Sequence, residues 1–173
     1  MVGDFSKAFS LSGLRLGWIV ERDAARRSAY ANAREYVTVS NTVLGEFLGT
    51  IAARHYERVL ARTRETTRAN LALLDAVFRD YADVLDWVRP EGGMTAFARL
   101  KSGGNARAFC QAAAERGVLL APGDCWGFAV HFRIGFGVGR DWYPRAMERF
   151  AGLLDAWRAA PGVGAEAALQ AAI

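Results

Sequence analysis

Apolar residues recur along the chain with two different spacings, which predict a mixture of helices and strands. Spacings of three or four residues predict helices over 21–36, 42–54, 56–81, 106–116 and 141–160. Short apolar or alternating runs predict strands over 2–5, 16–20, 84–88, 94–100, 118–121 and 130–136. The pattern therefore predicts an α/β segment followed by an α+β segment.

Polar residues that commonly cap helices stand before several of the helical runs. Asp23 lies near the start of the first, Ser40-Asn41 offers a cap for the second, and Asn105 and Asp141 precede the last two. Both the second and the last helix carry apolar residues that recur at helical spacing, and we expect those of the last helix to face inward. These residues are Val43, Leu44, Phe47, Leu48 and Ile51 in the second helix, and Met147, Phe150, Leu153, Leu154 and Trp157 in the last.

The order of elements divides the chain into three parts. Residues 1–53 form the α/β part, and residues 54–160 form an α+β domain whose small sheet comes from 84–136. The helix over 56–81 is long enough to bridge the two. Residues 161–173 hold proline, glycine and alanine, so we expect a loosely held tail.

The composition narrows the function classes. Hydrophobic residues make up 52% and charged residues 23%, which is ordinary for a globular protein, and the formal net charge is +4. The arginines are spread along amphipathic segments without a basic block, which argues against nucleic-acid binding. Two cysteines and two histidines favour neither a disulfide framework nor a metal site. We see no signal peptide and no apolar run that could span a bilayer, so a cytoplasmic location is expected.

Lys7, one of two lysines in the chain, lies between Phe5 and Phe9 ahead of a loop rich in serine and glycine. An amine in apolar surroundings loses the water that stabilises its charged form, and a neutral amine attacks aldehydes. Arg15, eight residues later, supplies a planar cation that binds phosphate or carboxylate through paired hydrogen bonds. The two side chains are either loop cations in solvent or the pair that pyridoxal phosphate requires.

A second candidate site residue lies in the strand predicted over 130–136. The alternation places Phe132, Ile134 and Phe136 on one face, and on the other His131, Arg133 and Gly135. Arg133 therefore projects from a rigid strand. It either faces solvent or grips a carboxylate through paired hydrogen bonds.

The string Ser6-Lys7, followed by Gly13-Leu14-Arg15-Leu16-Gly17-Trp18, resembles the cofactor-lysine segment of fold-type-I pyridoxal-phosphate enzymes in the class I and II aminotransferase group. There Ser-Lys is followed by Gly-x-Arg-x-Gly-Trp or Gly-Tyr. The order of elements is similar to that family from its lysine segment to its C-terminus. The resemblance implies the C-terminal part of an aminotransferase-like fold, with a remnant of the large cofactor-binding domain over 1–53 and the small α+β domain after it.

The resemblance also assigns roles in cofactor binding. Lys7 matches the Schiff-base lysine and Arg15 the phosphate-binding arginine, with Ser6 as a further cofactor-binding position. Many members carry a serine three residues before the lysine as a phosphate ligand, where this chain has Asp4. A carboxylate there would repel phosphate, so Asp4 either turns away or pairs with an arginine.

Three further positions acquire alternative roles. Ser40-Asn41 either caps a helix or, as in the family, brings Asn41 toward the cofactor phosphate of a neighbouring subunit. Arg133 matches the family arginine that binds the substrate α-carboxylate. Gly92-Gly93 resembles the Gly-Gly before a strand of the small domain, where Gly93 allows close approach to substrate, although a simple turn explains it as well.

The function implied by the resemblance is transamination between an α-amino acid and a 2-oxo acid, with pyridoxal 5'-phosphate as cofactor, in a homodimer. Cyclisation or decarboxylation on the same scaffold also stays open. The family's partner for the cofactor ring nitrogen precedes the lysine by many residues, so this chain is expected to be a C-terminal portion with little activity alone. The alternative is a non-catalytic aminotransferase-like sensing or dimerisation module, and a nucleic-acid-binding domain rests on the charge alone.

Overall fold

The computed structural model describes residues 1–137 and 139–159, so the predicted tail over 161–173 lies outside the described residues. The chain divides into two compact units, of which the first is Met1–Arg64 and the second begins at Glu65. This boundary lies inside a helix, whereas the sequence pattern predicts a change of domain at residue 54.

The first unit combines a small antiparallel ribbon with helices. Both strands predicted here are present, as β1 (Val2–Asp4) and β2 (Gly17–Ile19), and they pair antiparallel with each other. The loop between them holds a short 3-10 helix over Ser12–Leu14. Helices α1 (Ala24–Val37) and α2 (Val43–Arg54) follow, and α3 (Tyr56–Asp80) begins in this unit.

Helices α1 and α2 begin at side-chain caps. The Arg26 N–H donates to the Asp23 carboxylate at 2.8 Å, so Asp23 caps α1 as predicted. The predicted Ser40-Asn41 cap for α2 is wrong, because the Thr42 hydroxyl accepts the Gly45 N–H at 2.9 Å instead. The helix starts one residue after Thr42, and only that residue stands in the N-cap position.

The recurring apolar positions of α2 are not the face that this helix buries in the first unit. Its large apolar residues are exposed, and the buried positions of this helix are Gly45, Gly49 and Ala52. A Cβ atom on Gly49 would lie 2.7 Å from Leu16 Cδ1, so the helix backbone packs against the segment between β1 and β2 through its smallest residues. The amphipathic pattern of α1 likewise buries none of its residues within this unit.

The second unit is built on a four-stranded antiparallel sheet in the order β3-β4-β6-β5. Its strands are β3 (Leu85–Trp87), β4 (Thr95–Leu100), β5 (Ala121–Pro122) and β6 (His131–Gly135). The predicted hairpin of β3 and β4 is confirmed. The strand predicted over 118–121 is shorter and later, because the Val118 N–H donates to Ala113 O at the end of a helix and so cannot join the sheet.

Helices α4 (Ala106–Glu115) and α5 (Tyr143–Ala159) contribute to a single core with one face of this sheet. Asn105 caps α4, as predicted. All five predicted inward residues of α5 are buried, and they meet the sheet residues Ala96, Ala98, Leu100, Phe132 and Ile134. The other face of the sheet therefore carries the side chains that are free to meet a ligand. None of the described helices is long and apolar enough to cross a membrane.

Candidate active site

The segment between β1 and β2 is a loop closed by backbone hydrogen bonds. The Phe5 N–H donates to Leu16 O at 3.1 Å, and the Leu11 N–H donates back to Phe5 O at 2.9 Å. A tighter turn is closed by the Ser10 N–H, which donates to Lys7 O at 2.9 Å. Lys7 lies inside this closed segment, and Arg15 lies near its end, just before β2. We call residues 5–16 the lysine loop.

Three aromatic rings support the lysine loop from one side. The Phe5 ring centre lies 4.9 Å from that of Phe9 and 5.1 Å from that of Trp18, both edge-on. Phe5 is buried, but Lys7 is exposed. The two aromatic neighbours of Lys7 in the sequence contact each other and Trp18, and they leave the lysine side chain exposed in this chain.

Arg15 is held at the end of the 3-10 helix. Its backbone is left-handed, with a φ of 54°, and its Nη1 donates to Ser12 O at 3.1 Å. A guanidinium has five N–H donors, so most of this exposed side chain can still bind an anion. Gly17, which follows Arg15 closely, stands opposite Asp4, and a Cβ atom there would lie 2.9 Å from Gly3 O.

The Asp4 carboxylate turns onto its own loop. It accepts the Ser6 N–H, and this hydrogen bond holds the pKa of Asp4 below its ordinary value. The Lys7 charge contributes in the same direction to a smaller extent. Of the two arrangements left open for Asp4, pairing with an arginine is not the one adopted among the described residues, whose ion pairs do not include Asp4.

The other cofactor-binding candidates of the first unit take local partners. Ser6 offers its backbone N–H to Asp4, and its side chain is half-buried. Asn41, which does not cap α2, donates from Nδ2 to Glu46 Oε1 at 3.3 Å. Its predicted role toward a phosphate stays a prediction.

Arg133 lies on β6 in the second unit, with Phe97 of β4 and Ala121 of β5 directly opposite it. The alternation predicted for this strand is confirmed: Phe132 and Ile134 are buried and Arg133 is exposed. The Arg133 Cζ atom lies 4.9 Å from the centre of the Trp126 ring. A guanidinium over an aromatic face is attracted by the electron-rich face of the ring, so Trp126 restricts where Arg133 points.

A pocket of about 350 Å³ surrounds Arg133 on this face of the sheet. We call it the Arg133 pocket, and it is lined by Thr95, Ala96, Phe97, Trp126, Phe128 and Arg133. Gly93 lies outside this lining, in the turn before β4. Its φ of 82° is a conformation that favours glycine, which explains the residue locally.

The sequence reasoning missed the aromatic residues of the pocket. Phe97 could have been found, because alternation within β4 places it on the same face as Thr95. Trp126 and Phe128 lie in and after a 3-10 helix over Gly123–Trp126, where no periodic pattern marks their direction. Cys125 is exposed and accepts a long hydrogen bond from Arg107 at 3.8 Å. No cluster of metal-binding side chains occurs among the described residues.

Comparison with known proteins gives consistent matches. The family model for aminotransferase class I and II matches residues 1–150. Capreomycidine synthase of Streptomyces vinaceus is 31% identical over 147 residues, which is 84% of this chain and 37% of that protein. Histidinol-phosphate aminotransferase 2 of Pasteurella multocida is 28% identical over 145 residues, covering 84% and 36% respectively.

Solved structures agree with these matches. A PLP-dependent aminotransferase from Streptococcus suis superposes with a TM-score of 0.81 at 28% identity, over 89% of this chain and 41% of that one. The PLP-dependent cyclase OrfR gives a TM-score of 0.81 at 27% identity, over 89% and 42%. The chain thus spans about two fifths of the length of the relatives it matches.

Proposed function

Because the chain belongs to the aminotransferase class I and II family, whose cofactor is pyridoxal 5'-phosphate, we propose that it takes part in transamination between an α-amino acid and a 2-oxo acid. The observation that carries the proposal is the lysine loop. Its single closed segment presents an exposed amine, Lys7, and an exposed guanidinium, Arg15. These are the groups that fit an aldehyde and a phosphate in one ligand.

The candidate residues of the first unit would bind the cofactor and transfer a proton. Lys7 would hold the cofactor through its Nζ atom and, once released by the incoming amine, would move a proton at the substrate α-carbon. Arg15 would bind the phosphate, with Ser6 and Asn41 as further contacts. The cofactor supplies electron withdrawal from the reacting carbon when bound. Proton transfer by a positioned group typically contributes about 10²–10⁴ in rate.

We propose that residues of the second unit bind the substrate. Arg133 would grip the substrate α-carboxylate through paired hydrogen bonds, since its guanidinium is exposed and, among the described residues, takes part in no ion pair. Gly93 would allow the substrate to approach the backbone closely.

Cyclisation of an amino acid is a second candidate, because one relative is named capreomycidine synthase and one matching structure is a PLP-dependent cyclase. The two reactions differ in their products. Transamination replaces the substrate amine by a 2-oxo group, whereas cyclisation closes a ring and keeps the nitrogen in the product, so mass analysis of the products separates them.

The decisive experiment is reduction with borohydride after incubation with pyridoxal phosphate, followed by mass mapping of the modified lysine. We expect the label on Lys7 and not on Lys101, whose Nζ donates to Ala82 O at 2.6 Å. The Lys7→Arg variant should lose the label, and the Lys101→Arg variant should keep it. Equal labelling of both lysines would overturn the proposed role of Lys7.

We also propose that the partner is a second copy of this chain. The exposed apolar residues of α2 support this, including Val43 (84% exposed), Leu44 (67%) and Phe47 (62%). An apolar face of this kind commonly marks a contact with another polypeptide. Sedimentation should show a dimer that Phe47→Glu weakens. A monomer at all concentrations tested would contradict the proposal.

A further inference from the structure

The walls of the Arg133 pocket are aromatic. The Phe97 ring centre lies 6.1 Å from that of Trp126 and 5.6 Å from that of Phe128, and both contacts are edge-on. All three side chains retain substantial exposure, at 37%, 48% and 53% respectively. Aromatic surface left open beside a cation can still be covered by an apolar group of a ligand.

Arg133 differs from its neighbours in its charge partners. Arg99, on the adjacent strand, forms an ion pair with Asp86 at 2.6 Å. Arg107, in α4, forms one with Asp124 at 2.8 Å. In the described part of the chain Arg133 has no carboxylate partner, and its guanidinium lies over the Trp126 ring. Its guanidinium fork is therefore available to a carboxylate that a ligand brings.

The lining of the pocket also contains no carboxylate that could pair with a positively charged ligand. Among the described lining residues none is acidic, and the one charged side chain is Arg133 itself. A ligand whose far end is an ammonium or guanidinium group would bring a second positive charge near Arg133, and no carboxylate of the lining would pair with it. A carboxylate attached to an apolar group meets a cation at one end and aromatic rings at the other.

We infer that the Arg133 pocket selects ligands that carry a bulky apolar group beside their carboxylate. We infer also that Trp126 positions Arg133 to bind that carboxylate. The inference rests on the proposed role of Arg133 in binding the substrate carboxylate, and it adds the class of side chain. Amino acids with aromatic or large aliphatic side chains are then the substrates that the second unit favours.

Binding of three small carboxylates to the full chain tests the selectivity, followed through the backbone N–H signal of Phe97, which lines the pocket, in an NMR titration. The probes are 3-phenylpropanoate, propanoate and 4-guanidinobutanoate, which share the carboxylate and differ in what it carries. We expect 3-phenylpropanoate to bind about tenfold more tightly than propanoate, because the ring covers aromatic surface of the pocket. The guanidino probe should bind no better than propanoate.

Variants separate this inference from the proposed function. Arg133→Gln should abolish binding of all three probes, whereas Arg99→Gln, on the neighbouring strand, should leave it unchanged. Equal affinity for 3-phenylpropanoate and propanoate, both lost in Arg133→Gln, would overturn the side-chain class and leave the carboxylate role intact. Tightest binding of the guanidino probe would also overturn the class. Binding that survives in Arg133→Gln would overturn the carboxylate role itself.

The positioning role of Trp126 has its own readout. Trp126→Leu should weaken every probe by about two- to fivefold through loss of the cation–π contact, and Trp126→Phe should restore most of the affinity. Trp142→Leu, at an exposed tryptophan outside the pocket, is the matched control. Unchanged affinity in Trp126→Leu, or no recovery in Trp126→Phe with unfolding midpoints equal to the parent, would overturn the positioning role.

Discussion

At the scale of single residues, Asp4 fixes the backbone of the lysine loop. The Ser6 N–H that it accepts lowers its pKa below the ordinary value of 3.8. The folded-state pKa therefore lies below the unfolded-state pKa. The hydrogen bond consequently stabilises the loop fully above the unfolded pKa, and this contribution is lost as the pH falls through the folded pKa.

We predict that Asp4→Ala speeds amide exchange at Ser6, because the N–H loses its acceptor. Asp4→Asn is the matched control, since its amide oxygen can still accept the bond and should preserve most of the protection. An NMR titration of the parent chain should find the Asp4 carboxyl titrating below 3.8. Titration at or above that value, with unchanged exchange in Asp4→Ala, would show that the bond is not formed in solution.

The burial or exposure of side chains on β6 could be predicted from the sequence, whereas that of side chains in the lysine loop could not. The exposure of Arg133 and the burial of Phe132 follow from alternation, which is a property of the extended backbone itself. Phe5 and Phe9 flank Lys7 in the sequence, but in the structure both rings contact Trp18, which lies on the next strand, and Lys7 is exposed. Sequence neighbours therefore did not reveal the surroundings of the lysine.

At the scale of elements, the sequence predicts that α2 is a helix but does not predict which of its faces packs. Its existence follows from helical spacing, but its packing face depends on how closely a neighbour approaches, and the small residues at Gly45 and Gly49 permit the closest contact. Periodicity identifies an apolar face without identifying what covers it, so the spacing alone did not show that the large apolar residues of α2 are exposed in this unit.

The start of α2 can be tested directly through its cap. Thr42→Ala should destabilise the first turn by about 1 kcal/mol, because the Gly45 N–H loses its side-chain acceptor. Amide exchange at Gly45 and Glu46 measures this loss. Ser40→Ala, at the position that the sequence favoured as a cap, should change it little, and a larger effect at Ser40 than at Thr42 would reverse the assignment.

Gly123 begins the 3-10 helix that carries Trp126, and its place requires the absence of a side chain. A Cβ atom there would lie 2.5 Å from both the His131 and the Phe128 carbonyl oxygens, which are backbone atoms and cannot turn aside. We predict that Gly123→Ala destabilises the second unit by about 1–3 kcal/mol in urea unfolding.

The control is Gly152 in α5, where a Cβ atom would meet nothing within 4 Å. Gly152→Ala should be neutral or stabilising by up to about 1 kcal/mol, since alanine favours the helix. A similar loss of stability in both variants would mean that the close approach of backbone oxygens at Gly123 is not the cause of the loss.

At the scale of the whole molecule, the two units differ in how much they bury. In the first unit the buried hydrophobic residues of the described chain are Phe5 and Ala52, and α1 buries nothing. The second unit has a continuous core that includes Leu74, Phe109 and Phe150, each fully buried. Burial of apolar surface is the main source of folding stability, so the units should differ in local stability.

We therefore predict that amides of α1 and α2 exchange with solvent at least about 100-fold faster than those of β4, β6 and α5. The reason is that local unfolding of the first unit, which buries fewer apolar residues, exposes less apolar surface to water. Hydrogen exchange read by mass spectrometry on the full chain measures this. If a second copy covers α2, its protection should rise with protein concentration while that of α5 stays constant. Equal protection of α1 and α5 at low concentration would show that the first unit draws its stability from contacts beyond its own residues.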